Sequence, residues 1–168
     1  MKKRWLFAGV VLCLLIGLLS GCKTDKQPDD GEQDMDIGTD VSLIHVDLAT
    51  VFSLEEMSDI LGIKVSGNNV FESDTSVSYQ DESMGTVAII AFQECTRDVF
   101  DEIVTAYDDV KETPNLGEIA YWATAGELLV YDSGYAVSVH VSVTGMSETD
   151  QLTVSRQLAA LLLERAFA

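Results

Sequence analysis

The sequence predicts an α+β fold, in which an antiparallel sheet of about five to six strands packs against three helices. Three observations support this prediction. Some segments have apolar residues at the three- and four-residue spacing of a helix, and other segments have them at every second position, as in a strand. Short turns link the alternating segments as hairpins. The order along the chain is helix, strands, helix, three strands, helix, and hairpin-linked strands kept apart from helices favour an antiparallel sheet.

Three segments have the caps and spacing of amphipathic helices. Each follows a serine or threonine whose side chain can cap the first turn. The predicted helices run from Ser53 to Leu61, from Thr96 to about Val110, and from Ser147 to about Ala166. Ser53 and Glu56 form a capping box, and Gly62 is placed to end the first helix. The inward residues of the last helix are Leu152, Leu158, Ala159, Leu162 and Ala166.

The strands are predicted from alternation and from apolar runs bounded by turn residues. They are Ile63–Val65, Thr75–Gln80, Thr86–Gln93, Glu118–Thr124, Glu127–Asp132 and Tyr135–Thr144. A polar turn at Gly67-Asn68-Asn69 is expected after the first of them. Thr86–Gln93 is apolar on both faces, so we expect it to be a central strand that is covered on both sides. Ala125-Gly126 and Ser133-Gly134 are expected to be the last two hairpin turns.

The last predicted strand carries a row of polar side chains on one face. Its valines point one way, whereas Ser138, His140 and Ser142 point the other. Trp122 or Tyr131 would border this row if the hairpins pair in simple register. A polar row with an aromatic edge suits a small polar ligand or a partner peptide. An ordinary solvent-facing side of a sheet gives the same pattern.

The N-terminus has the parts of an export signal. A cationic start, Lys2-Lys3-Arg4, precedes the uncharged stretch Trp5–Leu19. As a helix, that stretch would span about 22 Å at ~1.5 Å per residue, less than the ~30 Å of a bilayer core. A permanent transmembrane anchor is therefore the weaker alternative.

The run Leu19-Ser20-Gly21-Cys22 resembles the lipobox of bacterial lipoproteins. The resemblance implies that residues 1–21 are a signal peptide and that Cys22 becomes the lipid-modified first residue of the mature protein. Two acyl chains are enough for stable anchoring. The expected location is the cell envelope, with the chain anchored in a membrane by lipid and facing away from the cytoplasm.

Composition divides the remaining chain in two. Residues 22–40 are rich in acids and poor in apolar side chains, so we expect a flexible, extended tether. Residues 41–168 are predicted to be a single α+β domain. The formal net charge of the whole sequence is −18. Nucleic-acid binding is not expected, because neutralising phosphates requires clustered Lys and Arg.

Motifs for catalysis, cofactors or metals are lacking. The glycines do not form a nucleotide-binding loop, and there is no Gly-x-Ser-x-Gly motif. His45 and His140 lie in unrelated segments, so no zinc site is expected. Cys13 would leave with the signal peptide and Cys22 would carry lipid. Cys95 is then the remaining thiol, and we interpret it as a buried structural cysteine rather than a nucleophile.

A second resemblance covers about fifty residues of the predicted domain. The segments Leu116–Trp122, Glu127–Tyr131 and Tyr135–Val143 are similar to a pattern that recurs in uncharacterised bacterial lipoproteins. The resemblance implies an antiparallel sheet with helices, loosely PsbP-like. It transfers no catalytic residues.

These observations favour a non-enzymatic binding or accessory module for another envelope or secreted protein. The alternative is a small-molecule or cation receptor that uses the polar strand face around His140. A hydrolase that uses His140 or Cys95 is a more distant alternative.

Overall fold

The computed structural model describes residues 46–71 and 74–168. Within them, three helices and seven strands form an α+β fold in the predicted order, with one additional short strand. The helices are α1 (Leu54–Leu61), α2 (Arg97–Thr105) and α3 (Glu148–Phe167). The strands are β1 (Val65–Val70), β2 (Ser76–Asp81), β3 (Thr86–Glu94), β4 (Lys111–Glu112), β5 (Ile119–Ala123), β6 (Glu127–Asp132) and β7 (Tyr135–Val141). The predicted signal peptide, Cys22 and the tether lie outside the described residues.

The strands form one antiparallel sheet in the order β1-β2-β3-β7-β6-β5-β4. Two meanders, β1 to β3 and β4 to β7, meet at the centre of this sheet. There β3 pairs with β7 from Ala88↔Val141 to Glu94↔Tyr135. Helix α2 connects the two meanders in sequence. The central pair therefore joins strands that are distant along the chain.

One face of the sheet, called here the covered face, packs against α1 and α3. Apolar side chains from six strands and both helices form one continuous core there. Its most buried members include Met57, Val77, Tyr79, Ile90, Leu128, Val137, Leu158 and Leu162. Since fully burying a large apolar side chain contributes roughly 1.5–3 kcal/mol, this core is the main source of stability.

The opposite face, called here the second face, packs against α2 over part of its width. Phe100 of α2 is 1% exposed. Its ring centroid lies 5.5 Å from that of Tyr131 and 6.4 Å from that of Tyr121. The other buried members of the cluster around it are Val104 of α2, Cys95, two residues of β6 and Ala136 of β7. Helix α2 thus covers the β5–β6 side of the second face.

The rest of the second face, over β2, β3 and the later part of β7, forms what we call the open patch. Its members are Ser76, Ser78, Ile89, Ala91, Ser138 and His140. Except for Ser78, which is buried, these side chains are partly exposed. Ile89 and Ala91 belong to neither apolar cluster of the described residues. The patch is therefore a mixed polar and apolar surface on the sheet.

Helix starts are where the sequence prediction is most accurate. The side chains of Ser53, Thr96 and Ser147 each accept a hydrogen bond from a backbone N–H three residues later, at distances of 3.1, 3.4 and 3.2 Å. Gly62 ends α1 with φ at +67°, a left-handed conformation that favours glycine.

Two boundary predictions are wrong. The expected turn at Gly67-Asn68-Asn69 is instead the middle of β1, which pairs with β2 through a bulge after Val65. Asn68 also donates its side-chain amide to the carbonyl of Ala49, at 2.9 Å. Helix α2 ends at Thr105 rather than near Val110. Its last turn tightens, because the amide of Tyr107 donates to the carbonyl of Val104.

Buried Tyr79 gives the stability of the protein a pH dependence that can be measured. Burial raises the pKa of Tyr79 from its ordinary value of about 10 to about 12. The unfolded chain therefore loses this proton at a lower pH than the folded chain. The stabilisation is complete below about pH 10 and is lost as the pH rises toward 12. Urea unfolding of the wild type should show about 1 kcal/mol less stability at about pH 11 than at about pH 9 from this group.

Tyr79→Phe is the control for this prediction, since it removes the ionising hydroxyl and retains the ring. The pH-dependent loss of stability should be smaller in this variant by about the same 1 kcal/mol. Equal losses in the two proteins would contradict the assignment to Tyr79.

Candidate binding surface

The strand register of the sheet places the predicted polar row of β7 on the same face as residues of β2, β3 and β6. Across the second face, Ser78 lies opposite Ile89, Ile89 opposite His140, and His140 opposite Glu127. Residues directly opposite one another in an antiparallel sheet share a face. Ser138 lies one row away, between Ala91 of β3 and Leu129 of β6. The open patch thus ends against the buried carboxyl group of Glu127.

Glu127 is the functional candidate that sequence reasoning missed. It is 9% exposed and begins β6, a strand that is otherwise apolar up to its last residue. Its Oε1 accepts a hydrogen bond from the Ser138 hydroxyl at 2.6 Å, and its Oε2 accepts one from the Tyr107 hydroxyl at 2.8 Å.

The ion pairs found among residues 46–71 and 74–168 lie elsewhere. They join Lys64 to Glu82, Arg97 to Asp101 and Arg165 to Glu56. Arg156 donates to the carbonyl of Pro114 at 2.9 Å. Within this part of the chain, Glu127 therefore has hydroxyl donors and belongs to none of these ion pairs.

His140 lies beside the β5–β6 turn. A Cβ atom at Gly126, where φ is +79°, would lie 3.9 Å from His140 Cε1 and 3.4 Å from Gln151 Oε1. Glycine at this turn therefore leaves space between the imidazole edge and the start of α3. His140 itself is partly exposed. Ser142 follows β7, is exposed, and donates its amide to the carbonyl of Val87 at 2.9 Å.

Of the two aromatic side chains expected at the border of the row, one lies on the other face of the sheet and the other is buried. Trp122 belongs to the covered face, and its Nε1 donates to Glu148 Oε1 of α3 at 3.1 Å. Tyr131 is on the same face as His140, but it is buried beneath α2. Its ring packs against Phe100, and the Arg97 guanidinium lies 5.9 Å from its centroid. Tyr107 is the aromatic residue that contacts the site.

Cys95 and His140 are at opposite ends of the central strands. The Cys95 amide donates to the carbonyl of Gly134, just before β7 begins, whereas His140 is near its end. Five steps along a strand separate Tyr135 from His140, which is about 16 Å at ~3.3 Å per residue. Burial also raises the pKa of the Cys95 thiol. This geometry does not provide a thiolate–imidazole pair.

The segment Leu116–Trp122, which carries the second resemblance, has structural roles in this fold. Gly117 has φ at +58°, and Leu116 is buried. Glu118 Oε1 accepts a hydrogen bond from the Ser133 amide at 2.9 Å and so supports the β6–β7 turn. Tyr121 packs below α2, on the opposite side of the sheet from Trp122.

A comparison with family models, curated proteins and solved structures finds no match to this chain. The described residues contain no group of three or more His, Cys, Asp or Glu side chains placed to hold a metal ion. None of the helices described is both long enough and apolar enough to cross a membrane.

Proposed function

We propose that this protein is a lipid-anchored, extracytoplasmic binding module that engages another envelope or secreted protein through the open patch. The observation that supports this most directly is the uneven cover on the sheet. The covered face packs against two helices, whereas α2 packs on only the β5–β6 side of the second face. A sheet surface that combines polar side chains with Ile89 and Ala91 is suited to recognising a partner.

The shape of the patch favours a protein over a small ligand. A cavity of about 220 Å³ does exist, but it lies near β1 and is lined by Val46, Asp47, Leu48, Ala49, Val70 and Asp74. Ligand sites usually enclose about 300–1,000 Å³. The polar row is instead part of a strand surface, across which a partner can lay an extended contact.

The anchoring part of the proposal depends on the lipobox-like run that ends at Cys22. Two acyl chains at this position would keep the acidic chain at a membrane surface. Metabolic labelling with an alkyne-bearing fatty acid should modify the wild type and leave Cys22→Ala unmodified. Equal labelling of both proteins would exclude Cys22 as the lipid site.

In-cell photo-crosslinking tests the docking surface. A photoreactive amino acid is placed at Ser76 of β2 or at Ser142, which directly follows β7. In the anchored full chain, either position should give one discrete crosslinked product. The same amino acid at exposed Thr153 of α3 is the matched control and should not give that product. With the photoreactive amino acid at Ser76, the double variant His140→Ala, Ser142→Ala should remove the product. Ser138 is retained in this variant because its hydroxyl holds buried Glu127.

Two results would contradict the docking proposal. One is a product of equal yield from Thr153. The other is a product from Ser76 that survives in the double variant, while thermal unfolding shows that the variant is folded. Either would place the partner on another surface.

A further inference from the structure

We infer that Glu127 is the recognition group of the open patch and that it takes a basic side chain, arginine or lysine, from the partner. The inference rests on the proposed function and makes it more specific by naming the chemistry of the bound segment. It is supported by the hydrogen bonds of Glu127, by its burial, and by the distribution of charge.

Each oxygen of the Glu127 carboxylate accepts one hydrogen bond and has room for another. An ionised carboxylate has about four acceptor positions, two on each oxygen. The hydroxyls of Ser138 and Tyr107 occupy one on each oxygen. These two donors fix the orientation of the group, since they come from β7 and from the segment that follows α2. Acceptor positions remain for a second donor.

The burial of Glu127 favours a cationic partner. Removing a carboxylate from water is unfavourable unless the group is paired or fully hydrogen-bonded. Glu127 is 9% exposed, and the ion pairs in the described part of the chain involve other acids. A guanidinium or ammonium group supplied by a partner would complete the site. The net charge of −18 also attracts positively charged segments over a longer range.

The neighbouring side chains favour a long basic residue. His140 lies opposite Glu127 on β7, and Ile89 lies beyond it on β3. A side chain that crosses β7 would place its methylene groups against Ile89 and Ala91 and its charged end near the carboxylate. Arginine fits best, because its planar group can donate two hydrogen bonds to one carboxylate.

Peptide binding to the full chain in detergent micelles tests the inference. The probe is the capped peptide Gly-Arg-Gly. The matched control is the same peptide with citrulline, which keeps the shape of arginine and lacks its charge. With the arginine peptide, the NMR signals of the Glu127 carboxyl carbon and the His140 ring should shift in a saturable manner. The citrulline peptide should bind about tenfold more weakly or worse.

Glu127→Gln should weaken binding of the arginine peptide by about tenfold, because the amide keeps the size of the group and loses its charge. Glu164→Gln removes the same charge from an exposed position on α3 and should bind as the wild type does. Equal binding of the arginine and citrulline peptides to the wild type would overturn the inference. If Glu127→Gln does not fold, the wild-type NMR shifts still decide the question, because general attraction to an acidic chain would not concentrate them at the Glu127 carboxyl carbon and the His140 ring.

Crosslinking separates failure of this inference from failure of the proposed function. If Glu127→Gln still gives the product from Ser76 at wild-type yield, the open patch binds its partner without this carboxylate and only the inference is wrong. If the wild type itself gives no product from Ser76 or Ser142, the docking proposal fails. Binding of the arginine peptide at Glu127 would then not belong to docking of a partner on the open patch.

Discussion

Replacement of Phe100 by alanine is expected to lower the free energy of unfolding by about 3–5 kcal/mol. Phe100 is 1% exposed and packs against Tyr121 and Tyr131, so its removal leaves a cavity between α2 and the sheet. The neighbouring Val104 is the other buried residue of α2. Val99 and Ile103 of α2 also pack in this cluster but are only half-buried, so Phe100 is the largest buried contact that holds the helix on the second face. Urea unfolding followed by circular dichroism measures the loss.

Thr105→Ala is the control, since Thr105 is exposed on the same helix and should change stability by less than about 0.5 kcal/mol. A loss below about 1 kcal/mol for Phe100→Ala would mean that α2 is held by other contacts. The variant should also affect Glu127, because the Tyr107 hydroxyl reaches that carboxylate from the segment just after α2.

Gly117→Ala is expected to destabilise the protein by about 2–4 kcal/mol, and the cost has two components. The left-handed backbone, with φ at +58°, disfavours any residue with a Cβ. The added Cβ would also lie 2.8 Å from the carbonyl oxygen of Tyr131 and 2.8 Å from Val130 Cγ1. Relief of this contact requires the chain before β5 to move away from β6.

Gly62→Ala separates the two components. Gly62 has φ at +67°, and a Cβ there would meet nothing within 4 Å. Its substitution should cost about 1 kcal/mol, from the backbone conformation alone. Thermal unfolding of both variants measures the difference. Equal losses for the two substitutions would show that the close approach to Tyr131 is relieved without cost.

Local signals in the sequence were sufficient for most of the fold. The helix caps at Ser53, Thr96 and Ser147 and the strands on either side of Ser133-Gly134 depend on neighbouring residues, and they were predicted close to their observed positions. The two edge strands were harder to predict. Asn68 is in a strand because β2 pairs with it, and the short β4 is defined by pairing with Trp122 and Tyr121.

The candidate site was predictable only in part. Counting outward from the Ser133-Gly134 turn places Glu127 opposite His140, so the pairing itself could have been found from the sequence. Its burial could not, because that depends on how α2 and Tyr107 lie over β6. The side of the sheet on which Trp122 lies depends in the same way on the faces that α2 and α3 occupy.

The sequence order of helix followed by strands occurs twice, yet the two halves are arranged differently. Helix α1 packs on the covered face and α2 on the second face. A two-fold axis between antiparallel β3 and β7, perpendicular to the sheet, would place both helices on one face. The repeated order is therefore not accompanied by internal symmetry of this kind.

The central position of β3 also affects how the chain folds and how incomplete chains aggregate. β3 is apolar on both faces, and its partner β7 appears in the chain only after α2 and three further strands. Pairing over such a separation is slow, because a long loop must close first. Until it forms, β3 is an unprotected edge that can pair with another molecule. We expect chains truncated before β7 to aggregate through β3 rather than persist as soluble half-sheets.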